Sequence, residues 1–134
     1  MELTQFARKV NSDIDNIDYF GGDIYSFGVY ESLKDHNIDV VFIDAIHKYP
    51  NVLMDTINSL ITFKDIHIIY DDYGFHPQVK KAIDDCLELG IIEFVSNIGE
   101  PTGYRILNSK KQSIVSTGTE GIICKFNSDR SLND

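Results

Sequence analysis

The sequence predicts an α/β protein built on a mostly parallel sheet. Two short apolar runs rich in β-branched residues, 38–44 and 66–70, are separated by a stretch with helical periodicity, as in parallel strands joined by a helix. Two strand candidates near the end, 104–107 and 121–126, predict an antiparallel C-terminal hairpin. Together these observations predict a three-layer α/β domain.

The first part of the chain predicts two short helices and a strand. Residues 3–10 place their apolar side chains on one face at helical spacing, which predicts a helix. Residues 17–20 predict a short strand that is stopped by Gly21 and Gly22, and residues 27–35 predict a brief helix.

Two longer helices and a third strand have clear start and stop signals. Proline suits the first helical turn, so Pro50 and Pro77 each predict the start of a helix with apolar residues every three or four positions. Gly90 predicts the end of the second of these helices, and residues 91–96 predict a strand. Loops are predicted at 99–103 and 108–119.

The net charge of the chain bears on which kinds of molecule it can bind. The net charge is −9, and the acidic residues are spread along the chain. This argues against nucleic-acid binding, which needs a positive surface, and is compatible with divalent cations. The first residues lack the features of a signal peptide, and no apolar stretch approaches the ~20 residues that span a bilayer. We therefore expect a cytoplasmic protein with no membrane partner.

Length and cysteine content predict one compact domain. The 134 residues suit a single domain with a modest core, expected over 1–126, with a flexible tail over 127–134. Cys86 and Cys124 are too few and too far apart for a zinc site or a disulfide framework. We expect both to be buried as small apolar side chains.

Three carboxylates follow the two best-defined strands. Asp44 comes after the first, and Asp71 and Asp72 come after the second. Ligands of α/β sheets bind at the carboxyl ends of parallel strands, so these side chains should converge. Clustered oxygen ligands suit magnesium, manganese or calcium. The alternative is that each Asp caps a helix or a turn.

His47 lies three residues after Asp44 and is the candidate general base. Imidazole can take a proton from a hydroxyl group near neutral pH. The alternative is an ordinary loop histidine, which is the interpretation that we assign to His36 and His76. Gly22 and Asp23 follow the strand predicted at 17–20, where glycine permits close backbone approach and the carboxylate could bind a ligand amine, although a simple turn is the alternative.

The order of these motifs resembles the C-terminal two-thirds of class I S-adenosylmethionine-dependent methyltransferases. The similarity is greatest to the group that includes macrocin-type sugar O-methyltransferases and cephalosporin-hydroxylase-like proteins. It covers about residues 16–96. The matching segments are FGGD at 20–23, VFIDAIHKY at 41–49, IYDDYG at 69–74 and VKKAIDD at 79–85.

The resemblance implies a role for each candidate residue. Asp44, Asp71 and Asp72 match positions that hold Mg²⁺ or a similar divalent cation in the metal-dependent members. His47 matches the proposed base that deprotonates the acceptor oxygen. Gly22, Asp23 and Asp44 match cofactor-binding positions. The implied reaction is O-methylation of a small hydroxylated substrate by S-adenosylmethionine.

The sequence also departs from the family. No segment before Asn16 matches the family's first β-α-β unit with its glycine-rich turn, so we expect a fold that lacks this unit. In a Rossmann-like methyltransferase fold without this unit, either the strand that ends at Gly21 pairs directly with the strand that ends at Asp44, or a second copy or a second polypeptide fills the gap in the sheet. The alternative function is a non-catalytic remnant of the fold that acts as an interaction or oligomerisation domain. A metal-dependent hydrolase is a third possibility.

Overall fold

The structure is a computed structural model that describes residues 3–26, 28–107, 110 and 113–129. The chain forms two compact units, Met1–Leu33 and Lys34–Asp134. The single domain over 1–126 stays a prediction. The elements in chain order are α1 (Leu3–Val10), α2 (Val29–Leu33), β1 (Val40–Ile43), α3 (Tyr49–Phe63), β2 (His67–Tyr70), α4 (Pro77–Glu88), β3 (Ile92–Leu107) and β4 (Ser113–Phe126).

The first unit contains two short helices and irregular backbone. Helix α1 has the predicted bounds, whereas the strand predicted at 17–20 is wrong because these residues form no strand. Helix α1 instead holds Tyr19: Arg8 Nη2 donates a hydrogen bond to its carbonyl oxygen at 3.0 Å, and Asn11 Nδ2 donates to its hydroxyl at 3.0 Å. These hydrogen bonds satisfy the carbonyl and the hydroxyl of Tyr19 without pairing to another strand. The predicted helix at 27–35 is shortened to α2, and Phe27 lies outside the described residues.

In the second unit, four strands form one sheet in the order β1-β2-β4-β3. β1 and β2 pair in parallel, and β4 pairs antiparallel with both β2 and β3. β1, β2 and β3 therefore share one direction, and β4 is inserted between β2 and β3 in the opposite direction. The α/β class and the antiparallel C-terminal hairpin are confirmed. The sheet is mixed rather than mostly parallel, since only the β1–β2 pair is parallel.

Helices α3 and α4 lie on the same face of this sheet, so the second unit has two layers where three were expected. α3 connects β1 to β2 and α4 connects β2 to β3, and both connections cross the sheet in the same direction. Crossovers between strands of like direction are right-handed, so two steps in one direction bring both helices to one face. The two helices accordingly contact each other.

The two faces of the sheet differ in cover. We call the face under α3 and α4 the helix face and the opposite face the outer face. Side chains alternate between faces along each strand, and the registers assign them. The helix face carries Val41, Ile43, Ile68, Tyr70, Ile122 and Cys124. The outer face carries Val40, Phe42, His67, Ile69, Ile123 and Lys125.

The core of the second unit lies between the helix face and the two helices. Tyr70 is fully buried and its hydroxyl lies 2.8 Å from Thr56 Oγ1 on α3. The expected burial of Cys86 and Cys124 is confirmed, and desolvation raises the pKa of these thiols to about 11 and about 12. The other buried apolar residues include Val52, Leu60, Ile66, Val79, Ala82, Ile83 and Ile92.

The predicted start and stop signals of the long helices are confirmed. Pro50 and Pro77 each lie in the first helical positions, of α3 and α4 respectively. Gly90 adopts a φ of 72° directly after the C-cap of α4, a left-handed conformation that glycine takes without a Cβ penalty.

The C-terminal hairpin is longer than predicted. The loop predicted at 99–103 is wrong, because these residues lie within β3. The turn-forming residues Gly99 and Pro101 are accommodated by a register irregularity between Ile98 and Pro101. The loop predicted at 108–119 is replaced from Ser113 onward by β4, and residues 108, 109, 111 and 112 lie outside the described residues. Of the predicted tail, 127–129 are described as turn or irregular backbone and 130–134 lie outside.

Candidate metal and catalytic site

The site lies where β1 and β2 end, at the edge that the sequence predicted. Asp44 directly follows Ile43, and Asp71 directly follows Tyr70. The amide of Asp71 donates to the carbonyl of Ile43 at 3.2 Å, which extends the parallel pairing one residue past β2. The two carboxylates are therefore fixed to neighbouring strands at the same level of the sheet.

The turn after β2 is held in an uncommon conformation. Asp72 has a φ of 60°, the left-handed region that residues with a Cβ seldom adopt. Its carbonyl accepts hydrogen bonds from the amides of Phe75 at 3.1 Å and His76 at 3.0 Å, and the amide of Tyr73 donates to the carbonyl of Glu120 at 3.1 Å. Local turn hydrogen bonds and one bond to β4 therefore compensate the conformational cost at Asp72.

His47 contacts carboxylates from both strand ends. Its Nε2 lies 3.0 Å from Asp72 Oδ2 and 3.3 Å from Asp44 Oδ1. The side chain of His47 is 35% exposed and that of Asp72 is 22% exposed, so solvent and small molecules reach this pair. The predicted base therefore lies within hydrogen-bonding distance of two of the predicted metal ligands.

The three predicted metal ligands also come together. Asp44, Asp71 and Asp72 each offer a carboxylate oxygen, and these atoms all lie within 4.8 Å of one another. An octahedral Mg²⁺ site with bonds of about 2.0–2.1 Å places neighbouring oxygens about 2.9 Å apart, so a small inward movement would suffice. Like charges at this separation repel unless a cation or a proton lies between them. The donor set fits a hard divalent cation.

The sequence interpretation missed His76. This residue was expected to be an ordinary loop histidine, yet its Nε2 lies 3.9 Å from Asp72 Oδ2, and its ring stacks on that of His47 with centroids 4.3 Å apart. The signal was present in the spacing. Asp72 and His76 are four residues apart just before Pro77, and one turn of backbone at a helix start brings such residues together.

A small hollow opens beside the site. Its walls are mainly apolar, with Asp44, His47 and Asp71 as its polar members. The apolar lining comes from Ile43, Ala45, Ile46, Val52, Tyr70 and Val79. The hollow thus joins the end of the core to the carboxylates.

Two tyrosines near the site form hydrogen bonds with residues of helix α4 rather than with the carboxylate cluster. The hydroxyl of Tyr49 donates to Asp85 at 2.7 Å, and this bond raises the pKa of Tyr49. The pKa of Asp85 is lowered, first by the hydrogen bond from Lys81 and then by that from Tyr49. Desolvation and a hydrogen bond to Asp84 similarly raise the pKa of Tyr73.

Gly22 and Asp23 lie in the first unit, in a turn. Gly22 has a φ of 139°, which side chains with a Cβ rarely tolerate, so the position favours glycine. Asp23 Oδ1 accepts a hydrogen bond from the amide of Tyr25 at 3.0 Å, the geometry of an Asx turn. This contact gives the carboxylate a structural partner, and the cofactor-binding role of both residues stays a prediction.

Comparisons of this chain with known proteins found no match. No family model, curated protein or solved structure matches the chain. Among the described residues, no helix has the length and apolar character needed to cross a membrane. The methyltransferase resemblance therefore depends on the motifs alone.

Proposed function

We propose that this chain is the metal-binding and acceptor-binding part of a divalent-metal-dependent O-methyltransferase that uses S-adenosylmethionine. The observation that carries the proposal is the convergence of Asp44, Asp71 and Asp72 within 4.8 Å, with the Nε2 atom of His47 against two of them. Asp44, Asp71 and Asp72 would hold Mg²⁺ or a similar cation. When bound, that cation would supply positive charge that orients a substrate hydroxyl and eases its deprotonation.

In this proposal His47 takes the proton from the acceptor hydroxyl. The carboxylates now beside its Nε2 are also the proposed cation ligands. Carboxylates that turned toward a cation would leave the Nε2 of His47 free to face the acceptor hydroxyl. Asp44 and Asp72 would thus take part in both contacts, and the reaction otherwise needs mainly alignment of the acceptor oxygen with the methyl group.

The methyl donor needs more space and more contacts than the described residues provide. The hollow beside Asp44 has an apolar lining with Asp44 and Asp71 among its residues, and it has room for about one water molecule. Within the described residues no glycine-rich strand–turn–helix is present to hold the rest of the cofactor. We therefore propose that another polypeptide or a second copy supplies those contacts.

Two further statements belong to the same proposal. The finer fold assignment, a Rossmann-like methyltransferase domain without its first β-α-β unit, is supported by three strands of one direction with the last strand inserted antiparallel. A cytoplasmic location and a small hydroxylated substrate follow from the sequence interpretation and stay predictions, as do the expectations of no nucleic-acid and no membrane partner.

A non-catalytic interaction domain is the second candidate. Its supporting observation is the outer face, where Val40 is 51% exposed and Phe42 is 61% exposed on the edge strand β1. Among the described strands β1 pairs only with β2, and exposed apolar residues next to such an open strand edge form a surface on which a second chain could pack.

Calorimetric titration of the purified protein tests the first candidate. Mg²⁺ is titrated into the wild-type protein, Asp71→Asn and the control Asp65→Asn, which alters an exposed carboxylate in the turn between α3 and β2. We expect saturable binding in the wild-type protein and the control, and loss of binding in Asp71→Asn. S-adenosylmethionine is then titrated with Mg²⁺ present.

The outcomes separate the two parts of the proposal. Absence of Mg²⁺ binding in the wild-type protein contradicts the metal site. Saturable micromolar binding of S-adenosylmethionine supports the enzyme. Its absence with Mg²⁺ bound leaves two candidates, the interaction domain and an enzyme whose cofactor contacts come from another polypeptide.

A further inference from the structure

A second set of ligand atoms shares Asp72 with the carboxylate cluster. His47, Asp72 and His76 offer two imidazole nitrogens and one carboxylate oxygen, all within 4.8 Å of one another. Both nitrogens are Nε2 and both approach the same oxygen, Asp72 Oδ2, at 3.0 Å from His47 and 3.9 Å from His76. The three side chains are 22–45% exposed, so an ion from solvent can reach them.

The backbone holds this set together independently of any ion. His76 donates its amide hydrogen to the carbonyl of Asp72 at 3.0 Å, which closes one turn at the start of α4. Pro77 then restricts the backbone as the first residue of the helix. The ring of His47 stacks on that of His76 at an interplanar angle of 27°, so one ring must turn before both Nε2 atoms can face one ion. The three ligands come from the segments that follow the parallel strands β1 and β2.

The chemistry of this set differs from that of the carboxylate cluster. Imidazole nitrogen binds zinc, cobalt and other divalent transition metals in preference to magnesium, which favours oxygen. With metal–nitrogen bonds of about 2.0–2.1 Å, tetrahedral ligands lie about 3.3 Å apart. The His47–Asp72 separation of 3.0 Å is near this value. The His76–Asp72 separation of 3.9 Å is longer, so the side chain of His76 must move inward and turn its ring to bind the same ion.

We propose that His47, Asp72 and His76 form a binding site for a divalent transition-metal ion of the zinc or cobalt type. Three protein ligands leave a fourth tetrahedral position for water or a substrate oxygen, as in open zinc sites. Such an ion occupies the Nε2 of His47 and so removes it from proton transfer. The site therefore excludes simultaneous action of His47 as a base, and zinc competes with the magnesium form through the shared Asp72.

This inference goes beyond the proposed methyl transfer and does not require it. Co²⁺ is the probe, because its visible absorption reports nitrogen ligands and low coordination number. Co²⁺ is titrated into the wild-type protein, His76→Gln, Asp71→Asn and the control His67→Gln. His67 is exposed and begins β2, whereas the site follows the last residue of that strand.

We expect the wild-type protein, Asp71→Asn and His67→Gln to bind Co²⁺ with similar affinity and to give the same visible bands. His76→Gln should bind about tenfold or more weakly while its Mg²⁺ affinity is unchanged. Co²⁺ binding by His76→Gln at wild-type affinity, with unchanged bands, overturns the proposal. Loss of Co²⁺ binding in Asp71→Asn but not in His76→Gln also overturns it, because the ion would then sit on the carboxylates. Circular dichroism confirms that each variant is folded, and Mg²⁺ binding reports separately on the proposed function.

Discussion

The two faces of the sheet are built from the same strands but differ in how deeply their side chains are buried. On the helix face, Ile68, Tyr70 and Cys124 are 0% exposed. On the outer face, Phe42 is 61% exposed and Val40 is 51% exposed. Large apolar side chains occur on both faces, so composition alone does not account for this difference. The two crossovers run in the same direction, and this brings both α3 and α4 to the helix face.

The sequence of β1 is typical of a strand that is buried on both faces, whereas α3 and α4 cover only its helix face. All four residues of β1 are apolar, as in strands that are buried on both faces. A strand of an antiparallel sheet with one wet face alternates apolar and polar residues instead. The outer face is therefore the surface that the proposed interaction domain would use.

Truncation of matched residues on the two faces gives the largest expected contrast. Ile68→Ala should lower the free energy of unfolding by about 3 kcal/mol, because it leaves a cavity under α3 and α4. Phe42→Ala should lower it by less than about 1 kcal/mol, since the side chain is already more than half exposed. Urea denaturation followed by circular dichroism measures both. An equal loss in Phe42→Ala would mean that the outer face is covered in solution.

The buried hydrogen bond on the helix face should contribute less. Tyr70→Phe removes the hydroxyl 2.8 Å from Thr56 Oγ1, while Thr56 still donates to the carbonyl of Val52 at 2.9 Å. The expected loss is about 1 kcal/mol, the usual net contribution of such a bond. A double-mutant cycle with Thr56→Val isolates the pair. Strictly additive losses would show that the two hydroxyls do not interact.

Ionisation of the two buried thiols should lower the free energy of unfolding at alkaline pH, and this effect should be absent at neutral pH. Burial raises the pKa of Cys86 from 9.0 to about 11 and that of Cys124 from 9.0 to about 12. The folded state thus retains these protons to higher pH than the unfolded chain does. Their contribution is complete below pH 9 and is lost as the pH rises toward the folded values.

Denaturation in reductant between pH 7 and 10 measures this loss. The stability of the wild-type protein should fall more steeply above pH 9 than that of a Cys86→Ala/Cys124→Ala variant. The variant is less stable throughout because of its cavities, so the slope is the informative quantity. Burial also raises the pKa of Tyr70, which is common to both proteins. Parallel curves would contradict thiol protection.

Much of the site could be predicted from the sequence because it depends on local order along the chain. Asp44 and Asp71 each directly follow an apolar strand, and parallel strands end at the same edge. Their convergence follows from that rule without any knowledge of distant contacts. His47 is within reach of Asp44 for the same reason, since only three residues separate them.

The approach of His76 to Asp72 and the length of the hairpin could not be predicted, for a different reason. The position of His76 depends on the left-handed turn at Asp72, which few residues other than glycine adopt and which a sequence pattern does not signal. The segment 99–103 contains the strongest turn residues of the chain, yet cross-strand pairing with β4 absorbs them as an irregularity in β3. In both cases contacts with other segments outweighed the local preference.

The sequence by itself determined the two helices whose first turns contain Pro50 and Pro77, the strands β1 and β2, and the acidic residues that follow those strands. These features depend on periodicity and on backbone chemistry within a few residues. The tertiary structure decided the insertion of β4 between β2 and β3, the cover of a single face of the sheet, and the approach of His76 to Asp72. Those outcomes depend on strand pairing and crossover direction between distant segments, which neither propensity nor spacing encodes.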